Sequence, residues 1–186
     1  MLAKALVVLA DGFEDVEAVT VIDVLRRGGI KVTVATLNDE LQTRSAHGLM
    51  VKADARFAEA ENDDYDAVIL PGGGEGTANL RGSPAVLERL RRQREDGGLI
   101  CAICAAPLVL MDAEVLDPEQ QVTYYPSCFE EADRPSADVP VVSDGQVITG
   151  QAPGASLLFA LVILRTLTDD RMALKIAHGM VTDVLS

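Results

Sequence analysis

The sequence is poor in the residues that build metal centres and disulfide frameworks. Its 186 residues include two histidines, three cysteines and no tryptophan. His47 and His178 are far apart and follow no metal-ligand pattern, and three cysteines do not suggest a disulfide framework in a cytosolic-looking chain. We therefore expect neither a bound metal nor any other cofactor.

Positive charge and long apolar runs are scarce as well. Sixteen lysines and arginines face 29 acidic residues, for a net charge of −13, which argues against electrostatic binding to nucleic acid or anionic membranes. No apolar run approaches the ~18 residues of a membrane span. The apolar residues 5–9 are too few for a signal-peptide core. We expect a cytoplasmic protein with one domain over residues 1–186.

Strand-like and helix-like patterns alternate along the chain. The predicted strands cover residues 3–10, 31–36, 67–70, a stretch around Cys101, 139–142 and 146–149. The predicted helices cover residues 14–27, 84–94, 105–111, 153–167 and about 169–179. Between them, residues 41–53 suggest a short hairpin, residues 71–76 a loop, and the proline-rich residues 117–140 an irregular region. Such alternation indicates an α/β fold with a mostly parallel sheet and helices on both faces.

Cys104 ends an apolar run and is followed at once by small residues. This pattern is typical of a buried strand that breaks sharply into a helix and pushes a side chain out over the end of the sheet. A helix N-terminus beneath the sulfur stabilises a thiolate. We therefore predict that Cys104 is a nucleophile with a depressed pKa. The alternative is a small apolar residue in an ordinary turn.

Two further groups follow strands that end at the same edge of the predicted sheet. The glycine loop 72–74 fits no nucleotide-binding signature, but its backbone N–H groups can stabilise an oxyanion together with that of Ala105. Glu17 lies in the first turn of the first helix. Proximity to a thiolate would raise the pKa of Glu17, and the protonated carboxyl could hydrogen-bond the sulfur or shuttle protons. The alternatives are a tight connection and a solvated acid.

Other pairings with Cys104 are weaker. Cys101 and Cys104 form a C-x-x-C motif, but Cys101 is expected inside the buried strand, which argues against a redox pair. Cys128 is a better candidate for a resolving thiol. His47 could approach the mouth of the cleft, and His178 belongs to the last helix, so neither is clearly placed as a base.

Five stretches of the sequence together resemble the ThiJ/PfpI superfamily, in the branch of the parkinsonism-associated protein deglycase and its bacterial relatives. These stretches are residues 10–17, 24–32, 65–73, 100–107 and 150–155. The match runs in order over nearly the whole chain. The resemblance implies a flavodoxin-like three-layer sandwich that forms a homodimer.

The same resemblance implies roles for the site residues. Cys104 would be an easily oxidised nucleophile, and Glu17 its protonated partner, which also stabilises a cysteine sulfinic acid. Gly73 and Ala105 would supply the oxyanion N–H groups. Further candidates for lining the cleft are Gly72, Gly74, His47, Tyr125 and Pro153.

The activities that the resemblance implies are a cofactor-free glyoxalase, acting on small α-oxoaldehydes such as methylglyoxal, and deglycation of early glycation adducts, both protective against carbonyl and oxidative stress. One departure matters, because Tyr125 occupies a position where the branch commonly has histidine. Tyrosine is a poor base, with a reference pKa of ~10. The alternative is therefore a non-catalytic redox sensor or chaperone that acts through oxidation of Cys104.

Overall fold

The computed structural model describes residues 2–185. The strands are β1 (Lys4–Leu9), β2 (Lys31–Thr36), β3 (Gln42–Arg44), β4 (Met50–Lys52), β5 (Ala55–Arg56), β6 (Ala67–Leu70), β7 (Leu99–Ile103), β8 (Val141–Asp144) and β9 (Val147–Gly150). The α-helices are α1 (Asp15–Arg27), α2 (Phe57–Ala60), α3 (Gly74–Arg81), α4 (Pro84–Glu95), α5 (Pro107–Asp112), α6 (Ser156–Leu167) and α7 (Asp170–Gly179). None of the helices described is long and apolar enough to cross a membrane.

Seven strands form one sheet in the order β5-β2-β1-β6-β7-β9-β8. All neighbours are parallel except β8, which pairs antiparallel with β9. The central strands read as continuous apolar runs because helices cover both of their faces. Strands β3 and β4 form a separate hairpin, as predicted for residues 41–53. The fold is the flavodoxin-like three-layer sandwich that the sequence suggested.

The hydrophobic core has two halves, one on each face of the sheet. Helices α1 and α6 pack against each other on one face, where Val24 and Leu161 belong to the same buried cluster, and α7 packs on α6. Helices α2 to α5 cover the other face, with Leu90 and Val109 in the second cluster. The two apolar layers hold the sheet edges, and therefore the loops at their ends, in fixed positions.

The strand order places three chain segments at one point of the sheet edge. Strand β1 lies between β2 and β6, and β6 lies between β1 and β7. The register pairs Val7 with Ile69 and Leu70 with Ala102, so the three carboxyl ends lie side by side. The direction of the strand order reverses at β1, because β2 lies on one side of it and β6 lies on the other. Open α/β sheets bind ligands at the point of such a reversal.

The structure corrects some predicted boundaries. A helix, α3, begins at Gly74, where the sequence predicts a loop to residue 76. Two glycines in its first turn and few apolar residues hide its helical pattern. The helix predicted over residues 105–111 begins at Pro107, after a turn. The one predicted over residues 153–167 starts as a 3₁₀ turn and becomes α-helical at Ser156.

Candidate active site

Cys104 occupies a strained corner at the end of β7. Its φ of 65° lies in the left-handed region, which costs a non-glycine residue roughly 1–2 kcal/mol. The surrounding backbone holds this conformation: the N–H of Cys104 donates to the carbonyl of Gly150 at 2.9 Å, and its carbonyl accepts the N–H of Tyr125 at 2.8 Å. The residue is 8% exposed, so its thiol is open only to small reactants.

Glu17 lies buried beside this corner, in the first turn of α1. The turn is fixed by Glu14, whose side chain caps the helix by accepting the N–H of Glu17 at 2.7 Å. Glu17 Oε2 accepts the N–H of Gly72 at 2.7 Å. Glu17 Oε1 is buried without a hydrogen-bond partner among residues 2–185. One carboxylate oxygen is therefore anchored, and the other is available to the reaction centre.

The two glycines after β6 permit this close packing. A Cβ on Gly72 would lie 2.7 Å from the Cβ of Cys104 and 2.8 Å from Oε2 of Glu17. Gly73 has a φ of 93°, and a Cβ there would lie 2.2 Å from the carbonyl oxygen of Gly12. No larger residue fits at either position without moving the loop. The loop can therefore bring its backbone N–H groups against the reaction centre.

Burial dominates the electrostatics of Glu17. It raises the pKa of this carboxyl from 4.5 to about 7, although the N–H of Gly72 and the contact with the Cys104 thiol act in the opposite direction. The direction predicted from the sequence is right, but the predicted cause is not, because burial rather than a neighbouring thiolate raises this pKa. The carboxyl can therefore both give and take a proton near neutral pH.

The depressed pKa predicted for Cys104 is wrong. Burial, followed by the neighbouring carboxylate of Glu17, raises the pKa of the thiol to about 12. The backbone N–H groups of Gly73 and Ala105 act in the opposite direction and lower the pKa of the thiol, but by less. The prediction considered only the N–H donors and the helix N-terminus, which lower the pKa of the thiol. It left out the burial of two adjacent acidic groups, which raises this pKa by more. Because two adjacent anions repel each other, a thiolate here requires that Glu17 hold the proton.

The other candidates without polar side chains lie on different segments near the corner at Cys104. Gly74 is exposed, as the first residue of α3. Ala105 lies in the turn before α5, with its N–H on the Cys104 thiol. Pro153 is partly buried and begins the 3₁₀ turn after β9, next to the strand whose Gly150 binds Cys104.

Tyr125 and the other polar candidates lie further from the thiol chemistry. Tyr125 holds Cys104 through its backbone, whereas its side chain is exposed. The His47 ring is exposed, and its Nδ1 contacts Asp15 Oδ2 at 2.9 Å. Cys101 is fully buried within β7, as predicted, and Cys128 is buried in a short 3₁₀ turn. All three cysteines are free.

One cluster has side chains of the types that bind metals. Glu14, Asp15 and His47 place their ligand atoms within 4.8 Å of one another. The carboxylates already serve the fold, because Glu14 caps α1 and Asp15 accepts the hydroxyl of Ser45 at 2.6 Å. These bonds attach the hairpin to the start of α1 and thereby help to position Glu17.

Gly150, for which the sequence predicts no role, supplies the acceptor for the N–H of Cys104. The residue ends β9 in register with Ile103, and a Cβ there would lie 2.8 Å from the Ile103 side chain. A glycine at the end of an apolar strand was the available signal. Its partner could be found only from the strand pairing.

Comparison with known proteins identifies the family of this chain. A sequence model of the DJ-1/PfpI family matches residues 3–166. The chain belongs to the DJ-1/PfpI family. Protein dj-1beta of Drosophila melanogaster is 39% identical over 183 residues, which cover 97% of each chain. Its crystal structure superimposes with a TM-score of 0.94 at 38% identity, covering 98% of this chain and 100% of that one.

Two other members of the DJ-1/PfpI family bear on function. The glutathione-independent glyoxalase DJR-1.2 of Caenorhabditis elegans is 35% identical over 156 residues, covering 83% of this chain and 82% of that protein. The structure of oxidized Toxoplasma gondii DJ-1 has a TM-score of 0.92 at 33% identity, covering 97% of this chain and 98% of that one. The family therefore includes a protein named as a glyoxalase and one crystallised in an oxidised form.

Proposed function

We propose that this protein is a cysteine-dependent, cofactor-free glyoxalase that converts small α-oxoaldehydes such as methylglyoxal to 2-hydroxy acids. The observation that carries the proposal is the pairing of Cys104 with Glu17, a buried carboxyl with a pKa of about 7 and a free Oε1. The naming of DJR-1.2 as a glutathione-independent glyoxalase supports it.

The reaction begins when the Glu17 carboxylate takes the proton of the Cys104 thiol and the sulfur adds to the aldehyde carbon, after which Glu17 returns that proton to the oxygen of the adduct. The new C–S bond gives a hemithioacetal, whose oxygen lies near the N–H groups of Gly73 and Ala105 as negative charge develops. These are the two backbone N–H groups that lower the pKa of the thiol in the free protein. Both donors belong to the backbone, so they need no reorganisation during the reaction.

Glu17 then moves a proton between the two substrate carbons. Its carboxylate removes the hydrogen from the former aldehyde carbon, giving an enediolate, and returns a proton to the neighbouring carbon. The product is a thioester of the 2-hydroxy acid on Cys104. Water hydrolyses the thioester, and the thiol is restored. The sum is addition of one water to the oxoaldehyde, with no external oxidant or reductant.

The small exposure of Cys104 favours small substrates. At 8% exposure, the residue admits a three-carbon oxoaldehyde more readily than an adduct carried on a protein side chain. We therefore place deglycation of early glycation adducts second to glyoxalase activity.

The test is methylglyoxal consumption and lactate formation by the reduced, metal-free protein. We expect Cys104→Ser to lower kcat/KM by roughly 10³-fold or more, and Glu17→Gln by roughly 10²–10⁴-fold. Cys128→Ala, which removes another buried thiol, serves as the control and should retain activity. Full turnover in Glu17→Gln would contradict the proposed proton transfer.

A redox sensor is the second candidate. It is favoured by Tyr125 in place of the branch's histidine, since no histidine among residues 2–185 hydrogen-bonds Cys104. In that role peroxide would oxidise Cys104 to sulfenic and then sulfinic acid, held by Glu17 and the N–H groups of Gly73 and Ala105. A protein that forms no lactate, but gains two oxygen atoms on Cys104 in peroxide by mass spectrometry, would support the sensor. A chaperone activity indifferent to Cys104→Ser would support neither role.

We also propose that the protein is a cytoplasmic homodimer that pairs through α1 and the β3–β4 hairpin. Val16, Val19 and Met50 are exposed apolar residues on these elements. A groove of about 290 Å³ lies between them, lined by Phe13, Ile22 and Val51 among others. Three free cysteines agree with a reducing compartment.

A further inference from the structure

Arg89 is a buried cation without a carboxylate partner. The residue lies on α4 and is 4% exposed. Its Nη2 donates to Gln93 Oε1 at 2.6 Å, while its Nε is buried without a hydrogen bond. No carboxylate among residues 2–185 lies within 4.0 Å of its guanidinium. Burying an unpaired charge is unfavourable in free energy, so an anion bound beside Arg89 would stabilise the site.

A second arginine, Arg92, lies next to Arg89, one turn further along α4. Arg92 also forms no ion pair within residues 2–185; its Nη1 donates to Asn62 Oδ1 at 2.9 Å, and its Nη2 donates to the carbonyl of Glu61. Burial, followed by the charge of Arg92, lowers the pKa of Arg89. The two guanidinium groups therefore lie close enough to repel each other.

Both arginines line one pocket of about 220 Å³ between α4 and the segment after α2. We call it the Arg89–Arg92 pocket, and its lining consists of Glu61, Asn62, Ala85, Glu88, Arg89 and Arg92. Of its two acidic residues, Glu88 pairs with Arg91 at 3.4 Å. Glu61 contributes its carbonyl oxygen to Arg92.

The remaining neighbours of Arg89 are an aromatic ring and two carboxylates that act only through space. The ring of Tyr65 lies against the guanidinium, with 5.7 Å from the guanidinium carbon to the ring centroid. Asp64 and Asp96 act on Arg89 only through space, beyond ion-pair distance. One face of the guanidinium thus contacts an aromatic ring, while the polar atoms not bound to Gln93 lack a protein acceptor.

We propose that the Arg89–Arg92 pocket binds a phosphate group, either as the free ion or as a small phosphate monoester. Two adjacent guanidinium groups match a tetrahedral dianion, which can accept hydrogen bonds from both. The net charge of −13 opposes long polyanions, so an ion that enters a small pocket fits better than a nucleic acid.

The pocket is separate from the Cys104 site. Gln93 Nε2 donates to the carbonyl of Tyr65, which precedes β6, at 2.9 Å. Arg89 therefore lies toward the amino-terminal ends of the strands, whereas Cys104 lies at the carboxyl end of β7. Binding at the pocket can be measured without any assay of activity.

The test is an NMR titration of the labelled, full-length protein with inorganic phosphate and, separately, with glycerol 3-phosphate, at constant ionic strength in chloride. We expect saturable shifts of the amides around Asn62 and Ala85. Arg92→Gln should weaken binding at least tenfold. Tighter binding of the monoester would identify an ester as the ligand, and equal binding would identify the free ion; either supports a phosphate site.

Arg94→Gln is the matched control, because it removes the same charge from the same helix. Arg94 pairs with Asp117 at 2.5 Å and does not line the pocket, so phosphate binding should persist. The proposal is overturned if the wild type shows no saturable shifts up to 10 mM phosphate, or if both variants weaken binding equally. Because Arg92 is only partly buried, its replacement should leave the fold intact, which the same spectra verify.

Discussion

At the scale of single residues, the chemistry of the site depends on where one proton resides. Glu17 and Cys104 are both acidic and both buried, and they lie side by side. The environment opposes ionisation of either group, and the thiol, with a pKa of about 12 against about 7, remains the weaker acid of the two. The pair therefore carries at most one negative charge near neutral pH, and Glu17 controls whether the sulfur can become nucleophilic.

This arrangement predicts a pH-dependent stability. The pKa of Glu17 is raised in the folded state from 4.5 to about 7, so folding is favoured by its protonation. The contribution is fully present below about pH 4.5 and is lost as the pH rises through about 7, by about 3 kcal/mol in total. Urea unfolding of the wild type between pH 4.5 and 8 should show this decrease.

Glu17→Gln provides the comparison for that series, because it has no charge to bury and its amide oxygen can still accept the N–H of Gly72. The variant should lack this part of the decrease and be more stable than the wild type at pH 8. Parallel stability curves for the two proteins would show that Glu17 does not titrate in this range.

The order of strands and helices in the sequence predicts that Cys104, Glu17, Ala105 and the glycine loop 72–74 lie at one sheet edge, and the fold brings them together there. The direction predicted for the pKa of Cys104 is wrong, since the depth of burial depends on residues distant in the chain. Oxidation and catalysis at Cys104 stay predictions.

At the scale of elements, the turn between β6 and α3 positions the N–H groups. Gly73 caps α3 with a φ of 93°, and the carbonyl of Gly72 accepts the N–H of Glu14 at 3.0 Å, which joins this turn to the start of α1. The turn is thus held from two sides by backbone contacts. A small displacement would move the donors away from the sulfur.

Gly73→Ala should therefore be destabilising and Gly74→Ala should not. The alanine at residue 73 must adopt a positive φ and would place its Cβ 2.2 Å from the carbonyl oxygen of Gly12, so we expect a loss of roughly 2 kcal/mol or more. A Cβ on Gly74 meets nothing within 4 Å, and alanine there should change stability by at most about 1 kcal/mol, toward greater stability. Thermal unfolding of both variants measures the difference, and equal midpoints would contradict the role given to Gly73.

At the scale of the whole molecule, the net charge and the exposed apolar residues determine how the surface interacts with other proteins. The net charge of −13 lies on a surface that also exposes apolar residues of α1 and of the hairpin. An apolar patch on an otherwise acidic surface is typical of a protein interface. The proposed dimer would cover this patch and leave the carboxyl edge of the sheet close to the partner.

Val19→Asp should prevent this association. Val19 is 46% exposed on α1, and a buried carboxylate at the centre of an apolar interface is strongly unfavourable. Leu174→Asp on α7 is the control, because Leu174 is 43% exposed and lies outside the proposed interface. Sedimentation velocity should show a monomer for the first variant and a dimer for the wild type and the control. A wild type that remains monomeric, or a Val19→Asp variant that remains dimeric, would place the interface elsewhere or remove it.

Sequence patterns alone predict the α/β class, the main strands and helices, and the strand-to-helix corner at Cys104. These features depend on local patterns: apolar runs such as residues 5–9, acidic first turns, glycines at chain reversals. Local sterics and solvation act over a few residues, so a linear pattern suffices to predict them. The short helix α3 was missed because its pattern is weak.

Tertiary packing determines which segments come into contact and how strongly burial there opposes ionisation of their side chains. The pairing of β7 with β9 brings the Gly150 carbonyl to Cys104, and the packing of α1 buries Glu17 against the sulfur. The packing of α4 on the other face of the sheet buries Arg89 without a carboxylate partner among residues 2–185. Burial and charge coupling are sums over neighbours from the whole chain, so no short stretch of sequence contains them.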